Sequence, residues 1–375
     1  MVSLLRGYDG PPLKIMEVCG THTAAIMKSG IRSFLSPKIR LVSGPGCPVC
    51  VTPTSYIDAC LEIAATPGHC LVSFGDMLKV PGSAGGRMPP LQYQAGSECA
   101  GGVGRTLSDA LGAGESVHMV YAPFDALPLA EAHPEICYVV AAVGFETTAP
   151  AYALLMEEAE ARGLGNIRLL TALKSALAAI DHICASGEGV DAFLCPGHVS
   201  VITGSRVYEP LAARYGKPFV VAGFEARHIL EAVYECVRLS QRAPLVRNLY
   251  PEAVREEGNP KALALIERYF ERQDAVWRGL GVIPASGYVL RDRCAEDGAA
   301  YDFTGSSGGA NGKEDVIPNA DGALPQGCRC GDVILGRIDP PDCPLFGASC
   351  TPARAVGPCM VSSEGACGIW FRNRG

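Results

Sequence analysis

The sequence predicts an α/β protein: two similar Rossmann-like lobes with parallel sheets flanked by helices, plus a third, cysteine-rich C-terminal domain. Three observations lead there. Short apolar runs alternate with helical patterns over the first 240 residues. A motif pattern recurs within that stretch. Beyond residue 240 the character changes, and the last part of the chain is crowded with cysteine.

Residues 14–18, 39–43, 70–74, 136–143, 168–170, 192–194 and 218–222 read as strands. Between them, 56–65, 151–162 and 228–239 carry helical periodicity. The repeat pairs Cys19-Gly20-Thr21-His22-Thr23 with Gly144-Phe145-Glu146-Thr147-Thr148, each just after a strand. It also pairs Gly44-Pro45-Gly46-Cys47-Pro48-Val49-Cys50 with Cys195-Pro196-Gly197-His198-Val199-Ser200. A third Gly223-Phe224-Glu225 follows the strand at 218–222. The expected domains are 13–120, a first lobe with Cys19 and Cys47/Cys50, and 121–240, a second lobe. The last strand and helix of the second, 217–240, have the option of packing back on the first. Residues 241–375 form the third domain, with helical patterns to about Gly279 and a loop rich in Gly, Ser, Asn and Pro at 303–327. In parallel sheets, chemistry gathers at the carboxyl ends of strands, where all these motifs fall.

Composition narrows the function. Apolar residues make up 48% and charged residues 19% of 375, enough for a sizeable packed core. Net charge is −7 and no run of five basic residues occurs, so no nucleic-acid partner is expected. The apolar stretch near the start is too short for a signal-peptide core, and none approaches the roughly 18 residues of a membrane span. A soluble cytoplasmic protein that binds no membrane is expected. Gly101-Gly102-Val103-Gly104 lacks dinucleotide spacing and no Walker pattern occurs, which argues against NAD or ATP.

In a reducing cytosol, 17 cysteines point to metal binding, redox chemistry or burial rather than a disulfide framework. Cys328, Cys330, Cys343, Cys350, Cys359 and Cys367 fall within 40 residues, where even spacing gives about two. Their irregular separations and neighbouring Gly and Pro suit four thiolates around a [4Fe–4S] cluster, making this an iron–sulfur domain. Zinc, which favours paired Cys-x2-Cys knuckles, and plain burial are the alternatives. Cys330, Cys343, Cys350 and Cys367 are the expected ligands, with Cys328 and Cys359 in reserve.

Cys47-Pro48-Val49-Cys50 has the form of a redox dithiol held in a stiff Gly/Pro turn; redox or metal chemistry competes with passive packing. Cys19 at a strand-to-helix turn is expected to have its thiol pKa lowered by helix N–H groups. His22 either assists Cys19 or caps a loop. His198 stands where the second half lacks the Cys-x2-Cys. Cys60, Cys70, Cys137, Cys184, Cys195 and Cys236 are expected to be packing residues. Cys99 and Cys294 admit either role.

These motifs, in this order, resemble the HypD family. The matching segments are 16–23, 44–53, 73–77 with 80–82, 121–127, 144–148, 196–200 and 328–367, within a resemblance spanning about 13–370. The resemblance implies a [NiFe]-hydrogenase maturation factor that forms a complex with a HypC-like chaperone. Iron bearing two cyanides and one carbon monoxide, Fe(CN)2CO, is assembled there, with a HypE-like cyanide donor, and serves the hydrogenase large subunit indirectly. By position, Cys19 would be the iron ligand, Cys47 and Cys50 the redox pair, and the tail cysteines the cluster ligands. Asp76, Glu146 and His198 would line the cleft at strand ends, shuttling protons or orienting ligands, or else holding loops. The third Gly-Phe-Glu departs from the family pattern, since Ala226-Arg227-His228 follows where Pro and an acidic residue are usual. Two further readings use the same residues: an iron–sulfur thiol–disulfide oxidoreductase acting on protein substrates, and a zinc-stabilised interaction module.

Overall fold

The computed structural model describes residues 1–83, 104–240, 246–291, the backbone of 300–301, and 324–374. Cys99, Cys294 and most of the glycine-rich stretches at 101–104 and 303–327 lie outside the described residues.

Two parallel-dominated sheets flanked by helices make up the molecule. The first contains β1 (Leu13–Glu17), β2 (Ile39–Ser43), β7 (Ala192–Pro196), β8 (Phe219–Ala222) and β9 (Val246–Asn248), in the order β2-β1-β7-β8-β9. Every pairing in it is parallel. The second contains β3 (His69–Phe74), β4 (Val117–Val120), β5 (Cys137–Gly144), β6 (Ile167–Lys174), β10 (Phe270–Trp277) and β11 (Gly281–Leu290), in the order β10-β11-β6-β5-β3-β4. A short β12 (Ala300–Tyr301) also pairs with β6. β3, β4, β5 and β6 run parallel; the β10–β11 hairpin is antiparallel and joins the edge of β6 through Leu173 and Lys174.

The sheets do not follow the expected boundary between 120 and 121. β3, with β4 on its outer side, leaves the first part of the chain to pair with β5, while β7, with β8 on its outer side, returns from the second part to flank β1. The expected third domain also divides. β9 extends the first sheet, β10 and β11 extend the second, and 324–374 form a tail of short helices. The cause is edge completion: β5 is a continuous apolar run and β1 is buried at four of its five residues, and such strands need partners on both sides and cover on both faces. β5 shows the cover directly. Val139, Ala141 and Val143 face one core with the helix Thr54–Ala65; Tyr138, Val140 and Ala142 face another with the helix Ala149–Ala161.

The expected strands each appear to within a few residues, and the helices at 56–65, 151–162 and 228–239 are seen as Thr54–Ala65, Ala149–Ala161 and Ala226–Leu239. The helical expectation to Gly279 holds only over Pro260–Tyr269. The following Phe270–Trp277 is rich in helix formers, yet it is a strand, because β11, itself docked on the edge of β6, offers it pairing and Gly279 and Gly281, both at φ 81°, supply the reversal. Among the described residues no helix is long and apolar enough to cross a membrane.

Phe193 on β7 is fully buried and stacks on Phe219 with ring centroids 5.1 Å apart. Phe193→Ala is expected to lower stability by about 3–5 kcal/mol in urea denaturation, since the surrounding core cannot close over the lost ring.

Candidate functional site

β1 and β2 are parallel neighbours, so the turns leaving their carboxyl ends start side by side. After β1 comes Cys19, the N-cap of the helix Gly20–Ser29. After β2 comes the turn 44–47, in which Cys47 caps the short helix Pro48–Val51 and accepts the Cys50 N–H at 3.1 Å. Cys47 and Cys50 are joined as a disulfide with Cα atoms 5.3 Å apart. Gly44 N–H donates to the Glu17 carbonyl at 2.7 Å, pinning the two turns together. Gly46 lies against the Cys19 backbone: a Cβ there would sit 2.4 Å from the Cys19 nitrogen. Only glycine permits that approach.

The tail closes this place from above. Gly20 abuts the Glu364 carbonyl, where a Cβ would lie 2.4 Å away, and the Cys50 sulfur lies 3.9 Å from the Pro358 carbonyl. A narrow cavity is lined by Gly20, Gly46, Cys47, Cys50, Cys359 and Glu364 among others. A second narrow cavity is lined by Cys328, Cys330, Cys343, Cys350, Cys359 and Cys367 among others. All six tail cysteines therefore meet at one point, and Cys359 is a wall of both cavities. Cys359 is joined to Cys330 as a disulfide. Cys330, expected as a ligand, is thus engaged with a different cysteine. The other four sulfurs form a group of their own: burial first, and then charge on Cys343 and Cys350, raises the thiol pKa of both Cys328 and Cys367.

An all-sulfur set of this kind suits a sulfide-bridged iron cluster. Cys328, Cys343, Cys350 and Cys367 could hold one, with the Val356 N–H already donating to the Cys350 sulfur at 3.3 Å. Among the described residues no group of three or more His, Cys, Asp or Glu side chains is arranged to hold a single metal ion. A cluster spaces its thiolates around a larger body than one ion does.

Burial sets the electrostatics. The Cys19 thiol is pushed up to about 11 by desolvation, and the backbone donors of His22 and Thr21 offset this only in part. The expected lowering by helix N–H groups is therefore outweighed, because a thiolate cut off from water loses more solvation than two amides restore. The Cys328 thiol is likewise pushed up to about 11, first by burial. Cys60, Cys70, Cys184, Cys195 and Cys236 are buried and Cys137 half-buried, consistent with packing roles.

The remaining expected residues are held by specific partners. His22 is fully buried, with Nε2 3.1 Å from the Gly223 carbonyl; burial pushes its pKa down to about 4 and leaves the imidazole neutral. His198 stacks on Phe224 at 4.0 Å, and burial lowers its pKa too. Asp76 accepts from the Ser362 hydroxyl and from both the hydroxyl and the N–H of Ser363, so it ties the end of β3 to the tail. Glu146 is buried and accepts from the Ser175 hydroxyl at 2.7 Å and the Ala176 N–H at 3.1 Å, which anchors the start of the helix Ala176–Ala185.

Glu17 was not anticipated. It is buried directly beneath Cys19 and accepts the Cys19 N–H at 3.1 Å and the Thr23 hydroxyl. Its signal was present in the sequence as a lone carboxylate ending an apolar strand.

Comparison with known proteins fits this geometry. The family profile described as HypD, hydrogenase formation hypA family, matches residues 5–374. The chain is 39% identical over 366 residues to the hydrogenase expression/formation protein HupD of Azotobacter chroococcum mcd 1, covering 96% of this chain and 88% of that one. It is 38% identical to the hydrogenase maturation factor HypD of Azotobacter vinelandii, with the same coverages. It is also 38% identical to HypD of Escherichia coli (strain K12), over 97% of this chain and 90% of that one.

The packing under Cys19 has two testable outcomes. Burial pushes the Glu17 carboxyl up to about 7, whereas an unfolded glutamate ionises near 4.3. Its contribution to stability is full below about pH 4.3 and is lost as pH rises through about 7. Urea titrations across that window should show a loss on the order of 3 kcal/mol that Glu17→Gln removes. Gly46→Ala should cost about 1–3 kcal/mol and speed iodoacetamide labelling of Cys19 by prising the two turns apart. From the motifs at the strand ends, the cysteine-lined tail and this similarity along nearly the whole length, the chain belongs to the HypD family.

Proposed function

We propose that this chain, a hydrogenase maturation factor by family, is the scaffold on which an Fe(CN)2CO unit is assembled together with a HypC-like chaperone. The iron unit is cargo, received with cyanide from a HypE-like donor and destined for a hydrogenase large subunit, and the work belongs in the reducing cytosol. Cys19 is the ligand this chain offers the iron. A soft thiolate suits low-spin iron with carbon ligands, and coordination lowers the thiol pKa that burial has raised.

One observation carries the redox part: Cys359, paired with Cys330, borders both the Cys47–Cys50 cavity and the cavity of the other tail thiols. We assign the four cluster ligands as Cys328, Cys343, Cys350 and Cys367, and Cys330–Cys359 as a second dithiol between them and Cys47–Cys50. When bound in that place, a [4Fe–4S] cluster would supply electrons one at a time. Release of cyanide from a thiocyanate sulfur needs two electrons together. The Cys47/Cys50 dithiol provides them: it becomes a disulfide, giving two electrons to the sulfur–carbon bond, one proton to the donor's thiolate and one to cyanide. Exchange with Cys330/Cys359 in its dithiol form restores the pair and leaves Cys330–Cys359 as the disulfide. Two electrons from an external one-electron donor, with two protons, reopen that disulfide for the next round. Glu17 and Gly46 hold Cys19 against this turn, Asp76 holds the tail over it, and Glu146, His22 and His198 position the surrounding strand ends.

Anaerobic co-purification with the HypC-like chaperone, followed by infrared spectroscopy and iron and sulfide analysis, tests the proposal. Bands of iron-bound cyanide and carbon monoxide are expected with the wild type and absent from Cys19→Ser. Their absence from the wild type would favour a thiol–disulfide oxidoreductase acting on protein substrates. Cys328→Ser and Cys367→Ser should lose the brown cluster, while Cys330→Ser and Cys359→Ser keep it and lose electron delivery to Cys47/Cys50. Loss of the cluster in Cys330→Ser would return that residue to the ligand set.

A further inference from the structure

Arg278 follows the fully buried Trp277 at the end of β10, and it is itself buried. Its Nε and Nη1 have no hydrogen-bond partner among the described residues. A buried guanidinium without a partner is among the costlier groups a fold can carry, and one is retained where an anion completes it. The carboxylate close enough to influence it, Asp58, is already bound to the N–H and hydroxyl of Ser83.

Its location suggests what the anion is. Arg278 N–H donates to the Val51 carbonyl at 2.8 Å, which places it beside the helix that holds Cys50. The next residue, Gly279, packs against Gly331, where a Cβ would lie 2.7 Å from the Gly279 carbonyl oxygen; Gly331 directly follows Cys330. Trp277 and Cys330 belong to one core, and Cys328 packs against it. Charge on Cys328 in turn acts on Arg278, and charge on Arg278 acts on Cys328.

We infer that Arg278 is the built-in countercharge of the cysteine-ligated cluster, a positioning and potential-setting residue for the Cys328 side of that site. This rests on the cluster proposal above. Four thiolates outweigh the positive charge of a [4Fe–4S] core, so the bound centre is an anion, and it becomes more negative on reduction. A cation held in a poorly screened interior favours the reduced form. Without the cluster, the same cation is a burden on the fold.

The test measures the midpoint potential of the reconstituted cluster by anaerobic optical titration, together with thermal melting of the cluster-free protein, in wild type, R278K, R278Q and R278M. R278Q and R278M are expected to lower the reduced-to-oxidised ratio at fixed potential about tenfold, a shift of about −59 mV for one electron. R278K should stay near the wild type. Cluster-free R278M should melt at or above the wild type, because an uncompensated charge has been removed. R278Q carries the comparison if R278M does not fold. Unchanged potentials in the charge-removing variants, with the cluster present, would overturn the inference and leave the cluster intact as a proposal. Failure of the wild type to take up iron and sulfide would instead overturn the cluster itself.

Discussion

A strand paired on both sides by parallel neighbours has its register fixed by two independent ladders. β1 is held in this way, between β2 and β7. Ile15 faces Leu41 on one side and Ala192 on the other, and sliding by one residue would turn Ile15 and Met16 away from their cores. Because β1 cannot slide, the first atoms beyond it are fixed too. Cys19 therefore emerges beside the turn that β2 delivers, and Gly46 can touch its backbone. The cavity, the dithiol and the cover supplied by the tail all inherit their placement from that one strand.

Desolvation is the second governing effect, and it acts against easy ionisation. Cys19, Cys328 and Glu17 all have their charged forms disfavoured by burial. Thiols kept protonated in this way react slowly with oxidants and stray metals. They become good ligands only when a cation with sufficient charge enters and replaces the proton.

Much of this was legible in the chain. The apolar runs marked β1, β2, β3, β5, β7 and β8, and the Gly/Pro turns marked the strand ends where Cys19 and Cys47–Cys50 meet. The clustered tail cysteines pointed to one shared site, and the structure places all six on one cavity. What local pattern could not reveal was pairing between distant segments. β3 reads as continuing the first sheet, yet its free partner is β5, and the four-residue β4 beside it carries too short an apolar pattern to read as a strand. Phe270–Trp277 reads as helix by propensity and is a strand by opportunity. The partnership of Cys330 with Cys359 is likewise a matter of folded geometry, since nothing in their spacing separates them from the other four. The net shift at Cys19 went the opposite way for a related reason: the helix N-terminus is local and visible, while the burial that outweighs it is tertiary.

The interleaving of the two sheets has a consequence for how the molecule comes into being. β1 and β2 leave the ribosome early, yet β7, the other neighbour of β1, follows some 150 residues later, and β8 and β9 later still. Until then Cys19, Cys47 and Cys50 belong to an unfinished edge, open to solvent and to one another. Ordering by contacts this remote is slow. The interval between synthesis of the first strand and closure of its sheet is thus the period of greatest chemical vulnerability for the thiols, and anaerobic conditions or an early-binding partner would protect them most during that window.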